Sequence, residues 1–148
     1  MNEEQTMIET YRGVVYPDQL DHMDHMNVKW YTAKFDEATW HLFSAIGITS
    51  EYMREQTRGM AALEQNTLYK AEARAGDLLL VKSRVLEIRG KIVKFLHIML
   101  NAETLEEAAR TELVTVQIDR ATRKSCPIPT NVLDKCVELF DLDVPRMN

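Results

Sequence analysis

The sequence predicts an α+β domain in which an antiparallel sheet packs against one long central helix. Three observations carry that expectation. Apolar residues recur every three or four positions from Val28 to Ile46, the period of a single buried helix face. One extended segment precedes this stretch and four more follow it, all rich in β-branched and apolar residues. The tightest connection among those four, Arg89-Gly90-Lys91, has the length and the glycine of a hairpin turn, which joins antiparallel neighbours.

In chain order, Met7 to Val15 reads as the first strand, with Ile8, Tyr11, Val14 and Val15 supplying the branched and aromatic residues and Pro17 closing the run. Pro17-Asp18-Gln19 is turn chemistry. In the helix that follows, Tyr31, Phe35, Ala38, Leu42 and Ile46 form the apolar stripe, widened by Val28 and Ala45. Lys29, Asp36 and Glu37 fall off it, and Lys34 and His41 lie along one flank. Ala33 and Trp40 make a smaller apolar patch on the opposite face, so the back of the helix is expected to be partly covered. Gly47 stands where a left-handed cap is wanted.

Thr49 to Arg58 reads as a short second helix with Ser50 as its N-cap. Strands are expected over Met60–Ala73, Leu78–Ile88, Ile92–Leu100 and Ala108–Ile118. Pro127 and Pro129 bar any continuation of the last, and Asn131 to Phe140 has the pattern of a C-terminal helix. No repeat, low-complexity tract or linker divides the chain, so one domain over residues 1–148 is expected. A single-layer sheet has unpaired edges that invite a second copy, so a homo-oligomer is expected too.

Composition narrows the function classes. A net charge of −5 leaves no basic footprint for nucleic acid. The chain is 45% hydrophobic, with no apolar run long enough to cross a bilayer, so no membrane role is expected. Cys126 and Cys136 have neither metal-ligand spacing nor a disulfide pattern and read as reduced thiols. Met1-Asn2-Glu3-Glu4-Gln5 is acidic and polar, unlike a signal peptide, and a cytoplasmic location is the expectation.

The stretch with the most chemistry is Asp21-His22-Met23-Asp24-His25-Met26-Asn27, at the entry to the long helix. Charge this crowded is a poor core, because unpaired charge is costly to bury. It does place acids, bases and hydrogen-bonding groups beside the unpartnered N–H groups of a helix start. Three readings stand open. The aspartates and histidines could ligate a metal, although no spacing matches a metal motif. One carboxylate could act as base or nucleophile, with helix N–H groups holding an oxyanion. Or Asp24 or Asn27 simply caps the helix.

The motif Tyr16-Pro17-x-x-x-Asp21-x-x-x-His25-Met26-Asn27-x-x-x-Tyr31, followed by Phe35-Asp36-x-Ala38, resembles the signature of hotdog-fold acyl-CoA thioesterases of the 4-hydroxybenzoyl-CoA thioesterase type. Glu64, Gly76-Asp77, Thr111-Glu112 and Pro127-x-Pro129 follow in the order of that family, so the likeness runs from about Glu9 to Val132. It implies a single hotdog domain, its sheet wrapped around the Val28–Ile46 helix, with edge-to-edge dimers and sites at the dimer interface. It implies an acyl-CoA substrate with a small or medium acyl group, aryl and carnitine- or betaine-type esters included, and neither metal nor organic cofactor. Asp21 would be nucleophile or general base, with His25 and Asn27 beside it in the catalytic set. The backbone N–H near Asn27 or Val28 would polarise the thioester carbonyl. Tyr31 and Glu64 would meet the substrate. Many relatives have Gly where Asp24 stands, and a carboxylate there would raise the pKa of Asp21 if the two lay close. For the CoA phosphates the available cations are Arg89 and Lys91 in the hairpin turn and Arg120, Arg123 and Lys124 after the last strand. Self-association to a homodimer or homotetramer would complete the site. The rival classes are a hotdog hydratase and a non-catalytic acyl-CoA-binding protein.

Overall fold

The computed structural model describes residues 6–145, so the N-terminal stretch Met1–Gln5 lies outside them. Ten elements follow one another: β1 (Ile8–Val14), a short 3-10 turn (Pro17–Gln19), α1 (Val28–Ala45), α2 (Ser50–Glu55), β2 (Arg58–Tyr69), β3 (Leu78–Arg89), β4 (Ile92–Asn101), β5 (Glu107–Asp119), β6 (Lys124–Ser125) and α3 (Thr130–Phe140). The strands form one sheet in the order β1-β3-β4-β5-β2, with β6 on β5, and every pairing is antiparallel. Each of the four long pairings carries a register shift, at Glu9/Tyr11, Ala62/Glu64, Val85/Glu87 and Met99/Leu100. Such bulges bend strands and increase twist, and here they curl the sheet around α1.

The apolar stripe read from the sequence is the buried face of α1. Tyr31, Phe35, Ala38, Leu42 and Ile46 are each at most 4% exposed. Their partners divide by height along the helix. Around Tyr31 and Phe35 pack Val15, Leu79, Val81, Met99 and Ala109. Around Leu42 and Ile46 pack Val85, Ile88, Phe95 and, from α3, Val132 and Phe140. Gly47 takes the left-handed backbone at φ 98°, and Gly90 does so at φ 62° in the hairpin, where Arg89 pairs with Ile92. Both turns meet the expectation set by glycine.

Three local readings change. Thr49, not Ser50, caps α2, its hydroxyl accepting the Tyr52 N–H at 3.0 Å. Lys34 is buried rather than flanking solvent, because β1 covers that side of α1. Its ammonium donates to the Tyr11 hydroxyl (3.2 Å) and the Val14 carbonyl (3.4 Å), and burial lowers its pKa. Among the described residues nothing supplies the expected cover over the back of the helix, since Trp40 is 55% exposed. Cys126 and Cys136 are free, and burial pushes the Cys136 thiol up to about 12.

One polar rod crosses the core. Thr39 lies 2.8 Å from His97 Nε2, and on the other side Nδ1 meets Ser83, which meets Thr10 at 2.7 Å. His97 is wholly buried, stacked on Phe35 and edge-on to Phe95. Burial pushes its pKa down from 6.5 to about 3, so it is neutral in the fold. The unfolded chain gains a proton there below its ordinary value, whereas the fold does not. The stability from neutral His97 is therefore complete above pH 6.5 and is lost as pH falls towards about 3. Within that window the cost is about 1.4 kcal/mol per pH unit. Urea midpoints recorded between pH 7 and pH 4 should fall steeply, and His97→Gln should flatten the slope; an unchanged slope in the variant would contradict the assignment.

Candidate active site

The Asp21–Asn27 stretch folds into a closed loop rather than a free tail. Leu20 and Met26 bridge its two ends. Inside it the Asp21 N–H donates to the His25 carbonyl at 2.9 Å and the Asp24 N–H to the Asp21 carbonyl at 3.0 Å. Outside it the Asn27 N–H donates to the Gln19 carbonyl (2.8 Å) and the Met26 N–H to the Ala73 carbonyl (2.7 Å), so the segment before β3 anchors the loop. Asp24 sits at φ 61°, in the left-handed region where glycine is most at ease and Asp is tolerated. Asp21 is half-buried, and its Oδ1 accepts the Met23 N–H at 2.8 Å, which fixes the carboxylate in the loop.

The loop delivers the chain to the start of α1, where Asn27 is the N-cap. Its Oδ1 accepts the Lys29 N–H (3.0 Å) and its carbonyl the Trp30 N–H (2.9 Å). Among the described residues nothing accepts the Val28 N–H. A hollow of about 280 Å³ opens here, lined by His25, Val28, Tyr31, Tyr69 and Glu72. An unpartnered N–H at the positive end of an 18-residue helix suits an oxygen that is gaining charge.

The other expected residues divide. Tyr31 is buried at the hollow, its ring edge-on to Tyr69 at 5.2 Å and its hydroxyl donating to the Ala71 carbonyl at 3.4 Å. Glu64 follows the β2 bulge and pairs with Val114, whereas Gln65 pairs with the core residue Leu113. The Glu64 side chain therefore points to the sheet face away from α1, and one chain does not bring it to Asp21. Arg89, Lys91, Arg120, Arg123 and Lys124 gather at the opposite end of the molecule. Lys91 bonds Ser125 there, and Arg120 bonds the Arg58 and Met53 carbonyls. The length of α1 between the two ends is about 27 Å at 1.5 Å per residue. Cations on this side of the molecule include Lys29, whose N–H bonds Asn27, Lys70, 2.9 Å from Glu107, and Arg74, 4.0 Å from Glu72.

Glu72 is the residue that sequence reasoning missed. Its carboxylate lies 2.9 Å from His25 Nε2 and, with the Met26–Ala73 bond, ties the loop to the segment after β2. The sequence offered only a charged residue in Ala71-Glu72-Ala73-Arg74, with nothing to indicate its distant partner. Glu72→Gln should loosen the loop and lower kcat about tenfold with little change in KM, since small misplacements of reacting groups are costly. An unchanged kcat would deny the tether a role. Among the described residues no group of three or more His, Cys, Asp or Glu side chains is arranged to hold a metal ion.

A curled antiparallel sheet around one long helix defines a hotdog fold. The family model for the thioesterase-like superfamily matches residues 15–136, and the chain belongs to that superfamily of thioester hydrolases. No curated protein matches the sequence. Among solved structures, the hypothetical protein SAV2348 from Staphylococcus aureus, determined in complex with CoA, superposes with a TM-score of 0.84 at 18% identity, covering 99% of this chain and 92% of that one. YbaW, a probable thioesterase from Escherichia coli, gives 0.75 at 20% identity over 88% and 97% of the two chains. Slr0204, a 1,4-dihydroxy-2-naphthoyl-CoA thioesterase from Synechocystis, gives 0.75 at 20% identity over 87% and 95%. At these identities the likeness establishes the shared fold.

Proposed function

We propose that two copies of this single-domain chain together hydrolyse an acyl-CoA thioester to free acid and CoA. The observation that carries the proposal is the Asp21 carboxylate held in a loop that ends at the unpartnered Val28 N–H. In this reading the thioester oxygen accepts the Val28 N–H. Asp21 either takes a proton from the attacking water, so that the acid forms as CoA leaves as its thiolate, or attacks the carbonyl itself. The second course expels CoA thiolate and forms an acyl anhydride, which water then hydrolyses to free acid and Asp21. Asn27 shapes the helix start, and His25 holds the loop through Glu72. Tyr31 walls the hollow.

The second copy answers a shortfall of the first. Identical strands paired across a two-fold axis normal to a sheet run antiparallel. Pairing β2 with β2 would then set the Arg58 end of one copy beside the Tyr69 end of the other. It would bring Arg120, Arg123 and Lys124 of the second copy towards the first copy's loop, where CoA phosphates need cations. Such an axis keeps both copies of α1 on one face of the joined sheet, so Glu64 stays on the other face, the one a tetramer would use. For the acyl group, a groove of about 160 Å³ between α1 and β2 favours a small or medium chain, being well below the roughly 300 Å³ at which drug-sized sites begin. Thiol release from a panel of acyl- and aryl-CoA esters tests the reading. Turnover of at least one ester is expected, and silence across all chain lengths and aryl esters would refute it.

A further inference from the structure

The groove between α1 and β2 begins where the hollow at the helix start ends. Val28 lines the hollow, and Thr32, Asp36 and Trp40 follow it in four-residue steps along one exposed face of α1, the last three lining the groove. Phe35, Phe43, Met53 and Met60 make the groove walls apolar. Two of its polar groups, Thr115 and Thr39, have their hydrogens already engaged. Thr115 Oγ1 donates to the Val93 carbonyl at 2.9 Å. Thr39 Oγ1 lies 3.0 Å from the Phe35 carbonyl and 2.8 Å from His97 Nε2.

His97 is neutral and carries one ring proton. With that proton on Nε2, the ring donates to Thr39, and the Thr39 hydrogen goes to Phe35. With it on Nδ1, the ring donates to Ser83, and Thr39 donates to Nε2. In either tautomer Thr39 keeps only oxygen lone pairs for another partner. Gln65 engages one N–H on Thr111 at 3.3 Å and keeps its carbonyl and its other N–H for a ligand, as Thr32 keeps its hydroxyl, so these two can accept as well as donate. The Asp36 carboxylate offers acceptor oxygens, and among the described residues no cation or N–H pairs with it.

A groove with apolar walls and acceptors along its edge selects a ligand with an apolar body and a hydrogen-bond donor. A methyl group in the donor's place would forgo those hydrogen bonds. Resting on the thioesterase reading above, we infer that this groove receives the acyl group and that the preferred acyl group carries a donor, a hydroxyl or a protonated amine, far from the thioester carbonyl. Val28 and Asp36 are about 12 Å apart along the helix, and the Asp36 side chain leans back towards the N-terminus, which puts the donor about 8 to 12 Å from the carbonyl. The Asp36 carboxylate next to the exposed Trp40 ring favours the amine over the hydroxyl.

Heptanoyl-CoA and its ω-hydroxy and ω-amino analogues share one length and separate the two donors. With the full chain and thiol release as readout, kcat/KM should rank amino above hydroxy above plain, with amino exceeding plain by about tenfold or more. Asp36→Asn should bring the amino-to-plain ratio close to one. Glu37→Gln, on the side of α1 towards Lys34, should leave that ratio as in the wild type. An advantage of the hydroxy ester alone would assign the donor as a hydroxyl read by Thr39 and Gln65. Plain heptanoyl-CoA turned over as well as both analogues, or an amino preference that survives Asp36→Asn, would overturn the inference while sparing the thioesterase reading. Release from none of the three, nor from the wider panel, would overturn that reading and this one with it.

Discussion

Asp21→Asn should lower kcat by about 10²–10⁴, the range that a positioned acid or base supplies. The substitution is unusually clean. The Asp21 oxygen that accepts the Met23 N–H is kept by the amide, and the loop bonds from the Asp21 N–H and to its carbonyl do not involve the side chain. Asn removes the basic oxygen pair and preserves the turn. Thermal midpoints should therefore stay within a few degrees while turnover collapses. Asp24 is the control, exposed and held at φ 61° by the turn. If Asp21→Asn retained activity and Asp24→Asn lost it, the carboxylate has been misassigned.

The second large effect concerns the β2 edge. From Ala61 to Asn66 every residue of β2 is exposed, and along the strand Leu63, Leu68 and Tyr69 are 61%, 51% and 48% open to solvent. A strand bare on both faces and unpaired on one side is a site that proteins normally protect. Trp40 and Val28, more than half exposed, continue the apolar surface on α1. An interface there of the standard size, about 1,600 Å², would bury this surface and pair the free edge. Sedimentation at micromolar concentration should give a dimer or a multiple of it. Leu63→Lys combined with Leu68→Lys should shift the protein to monomer and remove most activity, because charge on an edge opposes pairing. Monomers with wild-type turnover would contradict both the interface and the shared site.

What the sequence made legible was whatever repeats at short range. The stripe Tyr31, Phe35, Ala38, Leu42 and Ile46 follows the helical period and is buried. Val28, expected to widen it, is instead 56% exposed because it stands at the open first turn of α1. Gly47 and Gly90 mark positive φ because few other residues adopt it. The Asp21 loop stood out because its charges are contiguous. What escaped depends on contacts distant in the chain. Glu72 meets His25 only once the β2–β3 connection lies beside the loop. The extra residue between Ala62 and Glu64 turns Glu64 away from α1, and a one-residue shift leaves no trace in an alternating pattern. Lys34 is buried because β1 crosses the helix flank, and its long apolar stem makes that position tolerable.

The most direct test of a thioesterase site completed by two copies is activity per chain measured across dilution, beside the dimer fraction at each concentration. Thiol release per chain should fall as dimers dissociate and should return when the protein is concentrated again. The Asp21→Asn variant should stay inactive even where it is fully dimeric. Turnover per chain that stays constant down to concentrations where only monomer sediments would contradict the shared site.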